Sequence, residues 1–509
     1  MIAKLKSAGI FGMDAFIADV EAYISDGFSS FEIVGLPDAS VKEAKERVRA
    51  AIANSGGVYP AVRITVNIAP ADIKKSGTLY DLPILLSLLK AGGQLKEDLD
   101  DSVFIGELSL DGDVRPAGGV LAMVIKARQC GFKKFYIPVD NAAEGSVVEG
   151  IEVYPVENVR QLVDHIKGFS PIKPVSREDF PEITEIDAPD FGDVKGQFQA
   201  RRALEIAAAG GHNVLMIGPP GSGKSMLAKR LPSILPDMTF EEKIETTKLH
   251  SIAGILPKGA PLVSVRPFRS PHHTMSPIAL SGGGSIPKPG EISLAHNGVL
   301  FLDELPEFSR TAMEALRQPL EDGRVVISRV SATLSYPCDI MLVAAMNPCP
   351  CGFYGHPTRK CVCPEGTPAK YLNRVSGPLL DRFDLHIEVP SVEFEELDSS
   401  VKSEGSAAIK KRVNAARKLQ QQRYSGKGFS CNSNLTPALL HEYCHLTEDA
   451  RAFLKRAFEK LGMSGRAYDR VLKVARTIAD LDGSDTITKD HIAETVQYRS
   501  LDRKYWQQK

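Results

Sequence analysis

The stretch GPPGSGKS, Gly218 to Ser225, constrains the fold of this chain more than any other. It fits the pattern G-x-x-x-x-G-K-[ST], follows the apolar run NVLMI and precedes the helical pattern MLAKRL. Such a loop turns its backbone N–H groups inward around phosphate oxygens at a helix N-terminus, so it needs a buried strand before it and a helix after it. That context predicts an α/β layer, a parallel sheet with flanking helices, with function at the carboxyl ends of the strands. Gly218, Pro219, Pro220, Gly221, Ser222 and Gly223 would form the cradle. Lys224 would reach the β and γ phosphates, and the Ser225 hydroxyl would bind Mg²⁺.

Two further apolar runs end in polar residues. GVLFLDE reads as a buried strand closing on Asp303 and Glu304. Alone, the pair is an ordinary acidic helix start. Downstream of a phosphate loop, Asp303 completes the Mg²⁺ shell and Glu304 orients or polarises the attacking water. IMLVAAMN ends in Asn347, placed to hold that water or sense the γ-phosphate, though an Asn ending a strand is ordinarily a turn residue. GPLLDRFDLHIEVP supplies Arg382, for which two readings stand. It either stabilises the γ-phosphate of a neighbouring subunit's nucleotide or forms a salt bridge with Asp381 or Asp384.

The 509 residues, 43% hydrophobic and 25% charged, suffice for two to four domains. Residues 1–167 mix β-rich runs such as AVRITVNIAP with helical patterns such as SVKEAKERVRAAIANSGG, and read as an α+β domain. Residues 168–193 are rich in Pro and acids without periodicity, a linker. The nucleotide-binding stretch runs over 194–390, and 391–509 is largely helical. No segment approaches the ~20 apolar residues that cross a bilayer, and MIAKLKSAGIFGMDAF lacks a sustained apolar run before a small-residue cleavage site. The expectation is a cytoplasmic protein. A net charge of -1 carries no nucleic-acid signal by itself, so a polyanion partner would need a local basic surface.

The phosphate loop, FLDE, the strand-ending Asn347 and LLDRFD, followed by a helical lid, resemble an AAA+ ATPase of the magnesium-chelatase-like branch. IVGLPDASVKEAKERVRAA, RPFRSPHHT, GEISLAHNGVLFLDE and NPCPCG resemble the bacterial ComM/YifB family more closely still, and the likeness covers essentially the whole chain. The resemblance implies a P-loop AAA+ module, ATP and Mg²⁺ as cofactors, and a homo-oligomeric ring, usually a hexamer. It also implies a helicase acting on single-stranded or branched DNA in natural transformation or recombination, with recombination proteins as possible partners. Arg382 falls at the trans-acting arginine finger. SGRAYDR puts Arg466 at the position that contacts the γ-phosphate in cis, with Arg470 one turn on as the weaker candidate.

The family's β-hairpin before the Asn347 strand corresponds to GRVVISRVSATLSYP, with Arg324 and Arg329 available to track a phosphate backbone without reading bases; the other reading is a surface hairpin with solvated arginines. RPFRSPHHTMS is either a DNA or subunit contact or a structured insert. The basic helix KKRVNAARKLQQQR reads as a solvated face.

Residues 1–167 resemble the proteolytic domain of Lon. A Ser–Lys protease needs a hydroxyl nucleophile and a neutral lysine to take its proton. Lined up on its glycines, the chain has Leu79 in the serine's place, and Val120, Leu121, Ala122 and Met123 after Gly118 and Gly119, with no lysine. The expectation is a degenerate fold without protease activity.

Four of the eight cysteines fall at Cys349, Cys351, Cys361 and Cys363, inside an insert at 347–364 between the strand-ending Asn347 and Arg382. Two Cys-x-Cys knuckles can converge on one tetrahedral ion with Zn–S distances of ~2.3 Å. His356 is an alternative ligand. The competing reading, four unpaired thiols in a polar loop, leaves easily oxidised groups without a core. Four thiolates leave no open position for water, so the ion expected here is structural zinc.

Overall fold

Alternation of apolar and polar residues builds the first sheet: in Arg63–Ala69 every second side chain is buried, the period of a strand with one covered face. The computed structural model describes residues 1–181, 188–284, 287–329, 332–392, 396, 398, 403–499, 501, 505 and 506, with the side chains of 329 and 332 outside that description. The chain divides into two units. One comprises Met1–Thr184, Phe240–Ser264 and Val330–Ser335; the other comprises Glu185–Thr239, Val265–Arg329 and Tyr336–Lys509.

The first unit holds a seven-stranded mixed sheet in the order Ser30–Val34, Arg63–Ala69, Asp14–Ser25, Ile2–Phe11, Ser102–Phe104, Lys134–Pro138, Glu152–Val156. Asp14–Ser25 runs antiparallel to both its neighbours, and the other pairings are parallel. The helix Asp81–Ala91 is buried except at Lys90. Its Asp81 carboxylate is tolerated there because Arg47 donates to it from Nε at 2.6 Å and Nη2 at 3.1 Å. Leu79 packs against the apolar clusters, and Val120, Leu121 and Met123 are core residues.

The helix Phe240–Ala253 belongs to this unit, although the linear reading groups it with the nucleotide-binding stretch. Ile244 and Leu262 pack into the cluster built around Val120, Leu121 and Met123. Gly119 N–H donates to Ser251 Oγ at 2.8 Å and Leu121 N–H to Glu144 Oε1 at 2.7 Å. The open N–H groups at the start of helix Val120–Gln129 thus find side-chain acceptors. Burial raises the pKa of the Glu144 carboxyl, while Ser251, Leu121 and Asn141 work against that shift by hydrogen bonding.

The second unit holds an all-parallel sheet in the order Phe268–Arg269, Gly298–Leu302, Ile340–Met346, Val214–Ile217, Leu385–Glu388. Gly298–Leu302 and Val214–Ile217 are buried throughout, which is why they read as unbroken apolar runs. Ile217 pairs with Met346, and Leu302 with Ala344. Parallel pairing in that register brings the carboxyl ends of these strands to one edge. Before Ile340–Met346 the chain forms the strands Arg324–Arg329 and Ala332–Pro337. Arg324 is exposed; the side chain of Arg329 lies outside the described residues.

Helix Ser406–Arg423, read from sequence as a solvated face, buries Ile409, Val413 and Ala416 in the core around the parallel sheet, whereas the C-terminal helices Glu448–Leu461, Gly465–Leu481 and Lys489–Gln497 carry an apolar cluster that includes Leu454, Val471 and Ile492. Beside it, buried Asp480 accepts from Arg423 Nη2 at 2.6 Å, Arg476 Nε at 3.1 Å and Asn432 Nδ2 at 2.8 Å. Among the described residues, no helix is long and apolar enough to cross a membrane.

Candidate active site

The buried strand Val214–Ile217 delivers the chain to Gly218, where a Cβ would stand 2.1 Å from Val389 O. Only glycine lets the loop leave the sheet there. Helix Lys224–Arg230 follows directly. Gln197, at a left-handed φ of 54°, ties the loop down by donating from Nε2 to Ser222 O at 3.2 Å and Pro390 O at 2.6 Å.

Lys224 folds back into the loop. Its Nζ donates to Gly218 O at 2.8 Å, Pro219 O at 2.9 Å and Asn347 Oδ1 at 3.2 Å. Burial pushes its pKa down to about 8, with Asp303 pulling weakly the other way. Ser225 Oγ donates to Asp303 Oδ2 at 2.6 Å. Neighbouring oxygens of an octahedral magnesium shell, with arms of 2.0–2.1 Å, lie about 2.9 Å apart, so this pair fits two adjacent ligand positions of one hard cation. Glu304 sits at a left-handed φ of 52° with its N–H on Asp303 Oδ1 at 2.9 Å. Its side chain is 56% exposed and stands 3.4 Å from His273 Nδ1. A glycine-rich loop at a helix start, an ammonium, an adjoining hydroxyl–carboxylate pair and an open carboxylate can hold a polyphosphate with its cation and present a water to it.

A charged polyphosphate requires a charged Lys224. Because the free lysine has a pKa of about 8 and phosphates raise it, nucleotide binding should take up a proton where the free amine is neutral and the bound one is not. Affinity is therefore expected to fall as pH rises above about 8. Calorimetry in two buffers of different ionisation enthalpy should find uptake approaching one proton at about pH 9 and almost none at about pH 6.5. No uptake at the higher pH would contradict the assignment of Lys224 to the phosphates.

The other predicted residues gather elsewhere in the same unit. Arg382 Nη2 lies 2.5 Å from Glu321 Oε2, a partner the sequence reading did not name. Arg466 Nη1 is 4.0 Å from Asp381 Oδ2, and Arg470 is 3.7 Å from Asp381 and 3.6 Å from Asp384. The three arginines thus share one segment, 381–384. In the RPFRSPHHT stretch, Arg269 holds Glu291 through two bonds of 2.6 and 2.7 Å, and the rings of His272 and His273 lie 4.1 Å apart. The sequence singled out that loop but not the approach of His273 to Glu304. Two adjacent histidines between prolines were the available signal. Gln197 had none, since its role depends on a backbone turn.

The four cysteines come together, their Sγ atoms all within 4.8 Å of one another. Cys349 to Cys351, Cys349 to Cys361 and Cys351 to Cys361 measure 3.4, 3.7 and 3.5 Å. A tetrahedron with arms of ~2.3 Å has edges of about 3.8 Å, so the set fits one zinc ion after small adjustments. Burial pushes the Cys349 thiol up to about 12 against the backbone N–H of Tyr354, whereas at Cys351 burial is outweighed by the N–H groups of Phe353 and Val362, which pull the thiol down to about 6. His356 instead uses Nδ1 to accept from the N–H groups of Thr358 and Arg359 at 3.2 and 3.1 Å.

Three family profiles match successive parts of the chain. The one described as subunit ChlI of Mg-chelatase matches residues 20–141, magnesium chelatase subunit ChlI matches 190–397, and the ChlI C-terminal profile matches 403–499. A protein of Escherichia coli (strain K12) described as "Uncharacterized protein YifB" is 44% identical over 97% of this chain and 96% of its own length. "Competence protein ComM" of Haemophilus influenzae is 43% identical over 99% of this chain and 98% of its own length. The magnesium-chelatase 67 kDa subunit of Chlorobaculum parvum is 28% identical over 31% of this chain and 23% of its own length.

Proposed function

Because this chain belongs to the ComM/YifB family of magnesium-chelatase-like proteins, we propose that it is an ATP-hydrolysing AAA+ ring motor acting on DNA, a helicase or branch-migration translocase of recombination or natural transformation. The observation that carries this reading is the meeting of Lys224, Ser225, Asp303, Glu304 and Asn347 at one sheet edge. Lys224 neutralises the β and γ phosphates, Ser225 and Asp303 hold Mg²⁺, Glu304 polarises the attacking water, and Asn347 orients it. The protein works in the cytoplasm as a homo-oligomer, in the family's manner a hexamer. Arg382 completes the site of the neighbouring subunit. Arg466 contacts the γ-phosphate in cis, with Arg470 one turn on as the weaker candidate. Arg324 contacts DNA phosphates in the ring's pore. Arg329 shares that proposed role, and its side chain lies outside the described residues. The cysteine set holds structural zinc. The N-terminal unit serves assembly, DNA handling or partner binding without protease activity, since Leu79 and Leu121 pack as apolar residues.

The partial likeness to a chelatase subunit supports a second reading, an ATPase that remodels a partner protein. ATP hydrolysis measured with and without forked or single-stranded DNA separates the two. The DNA reading expects stimulation and strand separation by the protein alone, both lost in Lys224→Ala. Turnover indifferent to DNA and dependent on a partner protein would favour remodelling, and peptide hydrolysis would defeat both.

A further inference from the structure

The phosphate loop and the cysteine insert are far apart in the chain, yet the fold presses one against the other. A Cβ built on Gly352 would lie 2.2 Å from Pro220 Cδ and 2.6 Å from its Cγ. No larger residue fits while Pro220 stays in place. Gly352 has a φ of +83° and closes a turn by donating its N–H to Cys349 O at 2.9 Å. Cys349 opens that turn and Cys351 immediately precedes Gly352, so two of the four sulfurs belong to the turn whose last residue bears on Pro220. Two residues before Cys349, the Asn347 side chain accepts from Lys224 Nζ. One short segment, Asn347 to Gly352, therefore touches the phosphate loop at both its turn and its lysine.

We infer that the four-cysteine cluster, with its metal ion bound, is a brace that positions the phosphate loop, so that nucleotide affinity depends on whether the metal is present. This rests on the nucleotide and zinc readings given above. The physical reason is that the insert has little apolar material of its own to hold the Cys349–Gly352 turn. A structural metal supplies that order. Phosphate recognition by backbone amides tolerates errors of only about 0.5 Å, so a turn packed on Pro220 without clearance transmits its own looseness to the amides. Gly352 and Pro220 are positioning residues here; neither contacts the reacting atoms.

The test uses the full-length protein as isolated. Its zinc content is measured by elemental analysis, the metal is displaced with a mercurial, and binding of fluorescent ADP is followed. One zinc per chain is expected, and its removal should weaken ADP binding roughly tenfold, a usual size for coupling between two sites. Coupling is reciprocal, so saturating ADP should tighten zinc retention by the same factor.

Gly352→Ala guards against general unfolding of the metal-free chain. It keeps all four cysteines and should keep the zinc, yet weaken ADP binding by a similar factor. Adding Pro220→Gly removes the ring atoms that the new methyl meets but not the strain of an alanine at φ +83°, so part of the affinity should return. Unchanged ADP affinity after zinc removal would overturn the inference, as would losses in the double variant that simply add, or a protein without metal. Lys224→Ala separates the two layers of argument. If the wild type binds ADP no better than Lys224→Ala, the nucleotide reading itself falls. If it binds much better but ignores its zinc, only the brace falls.

Discussion

Replacing Arg382 with alanine is expected to lower ATP turnover by about a thousandfold while leaving nucleotide binding by the same chain nearly unchanged. The backbone at this position is fixed: Arg382 O accepts from Asn213 Nδ2 at 2.9 Å, and helix Gly377–Leu380 leads directly into it. The side chain is only 15% exposed. Its Nη2 meets Glu321, whose own side chain is 60% exposed, and its Nε has no partner among the described residues. An ion pair with so exposed a partner contributes little. Exchanging Glu321 for a phosphate that gains charge in the transition state is favourable, because guanidinium–phosphate bonds are charge-assisted on both sides.

A structural role would look different. Glu321→Gln, which removes the other half of the pair, should then be as harmful as the arginine change; the finger reading expects turnover within a few-fold of wild type. Mixing Arg382→Ala chains with Lys224→Ala chains gives the decisive readout. Each chain supplies what its neighbour lacks, so mixed assemblies should regain activity that neither possesses alone. No recovery in assemblies of normal size would return Arg382 to the status of a salt-bridge residue.

Glu304→Gln is expected to reduce turnover by about a hundredfold to ten-thousandfold, with ATP still bound. The variant should therefore trap ATP, visible as retained unhydrolysed nucleotide after gel filtration. The amide keeps the size of the side chain and loses its charge and its capacity to accept a proton. Glu304 occupies a left-handed conformation that costs a non-glycine residue of order 1–3 kcal/mol, and its N–H is secured by Asp303. That backbone turn aims the carboxylate out of the sheet edge, where His273 stands 3.4 Å away. His273→Ala should cost about tenfold in kcat with little change in KM, through lost aim rather than lost chemistry. His273→Asn, which restores a hydrogen-bonding group, should recover part of it. A His273→Ala enzyme with unchanged kcat would remove this residue from the site.

Much of this was legible in the chain itself, and particular residues show why. The phosphate loop was readable because each of its demands is local: glycines for the turn, a lysine and a serine at fixed offsets, an apolar run before and a helix after. The runs ending in Asp303 and Asn347 were readable because a strand buried on both faces must be apolar throughout. The cysteines announced themselves by spacing. The assignment of Phe240–Ala253 to the first unit was not legible, because the apolar positions that carry it, Ile244 among them, do not say which surface they cover. Nor was Glu321 as the partner of Arg382, since Asp381 and Asp384 were nearer in sequence.

By itself, then, the sequence determined the residue types of the candidate site, the order of its parts and the family, because those depend on residue types at short fixed spacings. Only the tertiary structure decided which parts touch: Lys224 on Asn347, Ser225 on Asp303, His273 on Glu304, and Gly352 on Pro220. Such contacts join residues distant in the chain and depend on strand order and parallel register, and no local pattern encodes which strand becomes another's neighbour.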